Sequence, residues 1–307
     1  MSSRAPPALP GYAELHCRTN FSFLSGASHP EELVARAQAL RYAALAITDE
    51  CSLSGAVRAH IEAKRLGMHL IVGAEMALAP AVAAAAASEP GPRLVLLAMS
   101  RRGYGNLVQW ITVARRRSPK GQYQALMSDL EGKVPSAPTL AGLPDCLALL
   151  LAPPVLDTPY PFKTLYAQAL WLKTWFGDRA AIALPRLRQP HDALLAELVQ
   201  QVAALTGVPV VAVGSALMHL RSRKPLLDAL TATRLRCSVV QAGHALQPNA
   251  EAHLRSRARL AALYRPEWLA QTLVLAGRCA FSLDELRYNT RARSRPMATP
   301  PRAGCGT

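Results

Sequence analysis

The feature that most constrains the fold is an alternation of short apolar runs with helical periods. Each run of four to six residues ends at a glycine or a polar residue. Ala43-Ala-Leu-Ala-Ile47 ends at Thr48-Asp49, His69-Leu-Ile-Val72 at Gly73-Ala-Glu75, and Val208-Pro-Val-Val-Ala-Val213 at Gly214. Arg93-Leu-Val-Leu-Leu-Ala98 leads into a helix through Asn106 to Arg115. Between these runs, Ser28-His-Pro-Glu31 has the spacing of a capping box, and Leu33, Val34, Ala37 and Leu40 then share one helical face. Leu53 to Leu66 predicts a helix closed by Gly67, and Asp192 to Leu205 one that stops at Thr206-Gly207. Strands separated by helices imply βαβ units, hence an α/β fold with a parallel sheet or barrel.

The alternation has gaps. The middle, about Ser118 to Pro161, is proline-rich and weakly patterned. From Gly214 to Arg278 the period is helical only: Ser222 to Arg234, Ala250 to Tyr264 and Pro266 to Cys279. Residues 1–10 and the Arg/Pro/Gly-rich stretch 289–307 lack any period and are expected to be disordered. The domain reading is therefore a barrel over 11–220 and a helical segment over 221–288.

Composition narrows the classes. No apolar run reaches eighteen residues, and the stretch Ala79 to Ser88 is small-residued and bounded by prolines, so a surface loop or frayed helix is expected there and no membrane span. Six scattered cysteines without CxxC spacing, and an N-terminus without an apolar signal core, point to free thiols in a reducing cytoplasm. Lys and Arg outnumber Asp and Glu by 35 to 20, a net charge of +15. Arginine-rich stretches include Arg115 to Lys120, Arg221-Ser-Arg223-Lys224 and Arg255-Ser-Arg257-Ala-Arg259. Such a surface attracts polyanions without reading sequence. Solvated charge runs are the plainer account of the same residues.

In a βα barrel, the polar residues just past the strand ends converge on one face. Here they are His16-Cys17-Arg18, Asp49-Glu50, Glu75, and Ser215 after Gly214. His16, Asp49 and Glu75 are a mixed nitrogen and oxygen donor set of the kind divalent metals accept. The same residues also read structurally: Asp49 as a helix cap, Glu75 as the partner of an arginine, His16 as a satisfied barrel histidine.

The stretches ELHCRTNFSFLSGASHPEELVARAQALRYAALAITDECSLSGAVRAHIEAKRLGMHLIVGAEM, RLVLLAMSRRGYGNLVQWIT, VPVVAVGSALMHLRSRKPLLDALTATRL and ALQPNAEAHLRSRARLAALYRPEWLAQTLVLAGRCAFSLDELRY resemble bacterial DNA polymerase III alpha subunits. They are most similar to the error-prone, damage-inducible branch, in its N-terminal PHP (polymerase and histidinol phosphatase) domain. The resemblance implies a distorted (βα)7 barrel and a divalent-metal site built from HxH, TDH, GxE, a histidine at the HLxLLA strand, and a terminal GDxH. Carried over, His16, Asp49 and Glu75 match. Arg18, Glu50 and Arg93 replace histidines, and Ser215 and Leu217 replace the last Asp and His.

The resemblance therefore implies a degenerate metal site, with Arg18 and Arg93 as fixed cations paired to Asp49 and Glu75. No cofactor is expected in this chain, a divalent metal at the vestigial PHP site being the alternative, and magnesium belongs to the full-length polymerase. The family's palm domain, whose aspartates hold the metals of nucleotidyl transfer, follows the PHP domain. This chain changes text after Tyr288, as a truncated or frameshifted product would, a short natural tail being the alternative. The family's partners are DNA, the sliding clamp and error-prone repair proteins, and the basic residues 221–224 and 255–259 are expected to face DNA. Two other readings stay open: a free-standing PHP metal-dependent phosphoesterase, and a non-catalytic basic nucleic-acid-binding module.

Overall fold

A computed structural model describes residues 9–79, 91–153 and 160–286. The expectations for 289–307, for most of Ala79 to Ser88 and for residues 1–8 lie outside the described residues. The strands are β1 (Ala13–Glu14), β2 (Ala44–Glu50), β3 (His69–Ala79), β4 (Arg93–Ala98), β5 (Ala125–Leu126), β6 (Cys146–Leu151), β7 (Ala180–Pro185) and β8 (Val210–Val213). The helices are α1 (Pro30–Ala39), α2 (Ala56–Leu66), α3 (Arg101–Arg116), α4 (Met127–Leu130), α5 (Pro161–Phe176), α6 (Asp192–Thr206), α7 (Lys224–Leu235), α8 (Val239–Ala242), α9 (Arg257–Leu263) and α10 (Pro266–Gly277).

The strands form one sheet in the order β1-β2-β3-β4-β6-β7-β8, with β5 paired to the far end of β3. The sheet curls until its edges meet. Past β1 and β8, the Arg18 N–H donates to the Ala216 carbonyl at 2.9 Å and the Ala216 N–H to the His16 carbonyl at 3.1 Å. The result is a seven-stranded barrel, the α/β class that the alternation implies. One strand departs from the parallel expectation. β4 runs antiparallel to both β3 and β6, pairing Ala77 with Arg93 and Ala98 with Cys146.

Side chains alternate across each strand. Ala44, Ala46, Ile71, Val95, Leu97, Leu147, Leu149, Ala181, Ala183, Val211 and Val213 form one buried cluster, the barrel interior, and Leu275, Ala276 and Cys279 join it from α10 and the residues just after it. The alternate residues, among them Leu45, Ile47, Leu94, Leu96, Ile182 and Leu184, pack outward under the helices. The interior is rich in alanine because seven short strands enclose a narrow space.

Three local differences have physical causes. CLALLL (β6) and AAIALP (β7) are buried on both faces, so they carry no two-residue period to read. The cap of α1 is His29, whose N–H donates to Glu32 Oε2 at 2.9 Å, because Ser28 is occupied with His219. Residues 250–256 form no helix, His253 bridging Met218, and the helix begins only at Arg257 behind its Ser256 cap.

The segment after β8 packs back on the barrel. α10 buries Leu269, Thr272, Leu275 and Ala276 and contacts β8 and β1, while Leu273 and Val274 stay partly exposed. Among the described residues no helix is long and apolar enough to cross a membrane.

Candidate functional site at the barrel mouth

The strand ends bring the polar residues together around Glu75. Because β4 is reversed, its first residue, Arg93, reaches the same mouth that the other strands reach with their last ones. Glu75 is buried at the mouth of β3 and is saturated. Its Oε2 accepts His16 Nε2 at 2.8 Å and Arg18 Nε at 2.7 Å. Its Oε1 takes Arg18 Nη2 at 2.6 Å, Arg93 Nε at 2.8 Å and Arg93 Nη2 at 2.6 Å. Burial alone would raise this carboxyl, but the Arg18 charge and the hydrogen bonds from His16 and Arg18 outweigh it and hold it well below the usual glutamate range.

Glu50 forms a second layer. It pairs with Arg18 Nη1 at 3.1 Å and Arg93 Nη2 at 3.4 Å, and accepts the Tyr123 hydroxyl at 2.9 Å. Arg18 also donates to Ser25 Oγ at 3.0 Å. His16 contacts Ser215 Oγ through Nδ1 at 3.0 Å. Leu217 stands in the wall of the adjoining cavity, about 470 Å³, which His16, Glu75, Arg93 and Ser215 also line.

Asp49 does not join this cluster. It accepts the Thr19 N–H at 2.8 Å, Thr19 Oγ1 at 2.9 Å and Ser22 Oγ at 2.7 Å, and so pins the 19–22 loop. Burial pushes its carboxyl up, against those hydrogen bonds. The expected pairing of the arginines with Asp49 is thus corrected. The neighbouring residue, Glu50, takes the second guanidinium contact, because alternation turns successive side chains to opposite sides.

The basic residues are dispersed and mostly engaged. Arg221 and Arg259 both hold Glu251, Arg223 pairs with Glu32, and Lys224 with Asp228. Arg257 is half-buried and donates to the Pro10 carbonyl at 3.5 Å. Arg255 corrects its expected place facing DNA: it is 1% exposed and donates to the Arg186 carbonyl at 2.6 Å. A guanidinium enclosed in the core cannot touch a phosphate.

Sequence reasoning passed over Glu14, Ser25 and Tyr123. Glu14 is fully buried and accepts Tyr12 Oη at 2.9 Å and the Gly214 N–H at 2.9 and 3.0 Å. A glutamate inside the apolar run YAELH was the available signal, since a carboxylate at a buried position needs partners.

Residues 14–186 match the PHP domain family. The chain belongs to the PHP family. Among curated relatives, it is 52% identical over 280 residues to the error-prone DNA polymerase of Bordetella parapertussis, covering 91% of this chain and 26% of that protein. It is 48% identical over 294 residues to that of Dechloromonas aromatica, covering 96% and 26%. The chain thus spans about a quarter of the length of these relatives. Among solved structures, an amidohydrolase from Chromobacterium violaceum superposes with a TM-score of 0.48 at 16% identity, over 66% of this chain and 86% of that one.

PHP membership implies a divalent metal, and the residues at this mouth do not fit one. No cluster of three or more His, Cys, Asp or Glu suited to a metal occurs among the described residues. More tellingly, the lone pairs that Glu75 would offer a cation are directed at two guanidiniums, which stay protonated and only donate. A dication placed there would meet two fixed positive charges at contact distance.

Proposed function

We propose that this chain acts as the N-terminal PHP module of an error-prone DNA polymerase, a structural partner of DNA-directed DNA synthesis during translesion repair, and not as a metal-dependent phosphoesterase. The observation that carries this reading is the occupation of Glu75 by Arg18 and Arg93, set in a chain about half identical to error-prone polymerases along nearly its whole length. Hydrolysis of a phosphate ester by two or three metals needs several anionic or imidazole ligands and an activated water. The arginines occupy that place. Polymerisation belongs to the remaining three-quarters of the relatives, so DNA, the sliding clamp and the repair proteins are partners of the assembled polymerase, in the cytoplasm.

The test pairs this chain with the C-terminal three-quarters of the Bordetella relative and follows primer extension. Restored or stabilised synthesis supports the module. Metal found by elemental analysis of the purified chain, together with metal-dependent phosphate release, would favour the phosphoesterase instead.

A further inference from the structure

The residues at the mouth that no longer suit a metal are arranged for a different chemistry. Ser215 Oγ lies 3.0 Å from His16 Nδ1, and His16 Nε2 lies 2.8 Å from Glu75 Oε2. Glu75 is held as a carboxylate by two arginines and can only accept, so the imidazole proton sits on Nε2. Nδ1, on the other side of the ring, then faces the serine hydroxyl at hydrogen-bond distance and is placed to accept from it. A hydroxyl, an imidazole and an orienting carboxylate in this order form the constellation of nucleophilic catalysis, recognised by geometry and not by chain order.

Further observations set the group in a usable place. All three side chains line the same cavity of about 470 Å³, a volume ordinary for small-molecule sites. Ser215 sits directly after β8, beyond Gly214, with φ +48°, a left-handed conformation that a non-glycine residue adopts at a cost and that recurs at active sites. The turn is fixed from both sides, since the Ala216 N–H donates to His16 and the Leu217 N–H to Ala252. The half-exposed Arg93 guanidinium lines the cavity as well and supplies positive charge for an oxyanion. The walls are apolar: Leu78, Leu151, Leu165, Leu187 and Leu217.

We propose that Ser215, His16 and Glu75 form a serine acyl-transfer triad that cleaves carboxylic esters bearing a short apolar acyl group. Ser215 Oγ attacks the ester carbonyl as its proton passes to His16 Nδ1. The tetrahedral oxyanion then collapses, the C–O bond to the alcohol breaks, and the Nδ1 proton goes to the departing alkoxide. Water attacks the acyl-serine with His16 again taking a proton, which returns to Ser215 Oγ as the carboxylic acid leaves. Glu75 is a positioning residue: it fixes the tautomer and faces the imidazolium that forms. This activity goes beyond the role as a polymerase module, which stands or falls separately in the primer-extension assay.

The experiment uses the full chain, a fluorophosphonate probe and p-nitrophenyl butyrate. Peptide mass spectrometry is expected to place the phosphonate on Ser215. Ser215→Ala and His16→Gln lower labelling and ester cleavage by about 100-fold or more, the usual contribution of a general base. Ser215→Gly is the folding control. Glycine suits the left-handed backbone, so this variant keeps the wild-type melting temperature while losing the adduct. Glu75→Gln lowers kcat and leaves KM, whereas general loss of structure would abolish both. A probe that fails to modify Ser215, or ester cleavage equal in wild type and Ser215→Ala, overturns the proposal.

Discussion

Glu14 and Gly214 meet across the seam of the barrel, the buried carboxylate accepting the glycine N–H with both oxygens at 2.9 and 3.0 Å. A Cβ on residue 214 would overlap Glu14 Oε2, so the glycine is required by this approach and not by its backbone angles. Gly214→Ala is expected to destabilise the fold by about 1–3 kcal/mol, as overpacking does. In a Glu14→Ala background the same change costs less, a coupling that urea unfolding of the four chains measures.

Glu75 makes the fold acid-sensitive. Its folded pKa is depressed, so its contribution is present above the ordinary glutamate range and is lost as pH falls through the lower folded value. Glu14 and Asp49, raised by burial, act with the opposite sign and lose stability as pH rises. Thermal melts between pH 7 and 3 should therefore show an acid limb that is smaller in Glu75→Gln than in wild type.

Asp129 is a second buried hub, away from the mouth. It accepts Trp110 Nε1 at 3.1 Å, the Leu126 N–H at 3.0 Å, and Arg117 twice, at 2.7 and 2.6 Å. Asp129→Ala leaves the enclosed indole N–H and a backbone N–H without an acceptor, an expected loss of about 2–3 kcal/mol. Denaturant unfolding followed by tryptophan fluorescence reads it directly.

Arg255 and Arg221 carry the same charge and have opposite fates. Arg255→Ala should lower stability by about 2 kcal/mol or more, because its core contacts go, with no change in the salt dependence of DNA binding. Arg221, exposed but engaged with Glu251, should also leave that slope nearly unchanged. Fluorescence anisotropy with single-stranded DNA across a salt series checks both. A slope reduced by about one per arginine would place them on phosphates.

Much of the architecture was legible. β2, β4 and β8 stand where apolar runs meet polar ends, and Gly67 closes α2 with φ +65°. β6 and β7 were hidden because burial on both faces erases the alternation that marks a strand. The mouth was half legible. Listing polar residues past strand ends found His16, Arg18, Glu50, Glu75 and Ser215, and the family resemblance added Arg93, but neither told which would touch. Asp49 and Glu50 differ by one position along a pleat, and that single step decides which carboxylate meets the arginines. The meeting of His16 with Ser215 depends on residues 199 apart in sequence and is invisible to any local pattern.

That separation has a kinetic consequence. β3 and β4 pair across a short stretch of chain, so loop-closure entropy lets them find each other early, whereas the ends of β1 and β8 must wait for nearly the whole barrel. The serine and the histidine stand on opposite banks of that last seam. A refolding chain holds every residue of the constellation from the start and the constellation itself only at the final step. Reactivity at Ser215 would thus be a clock for closure of the barrel.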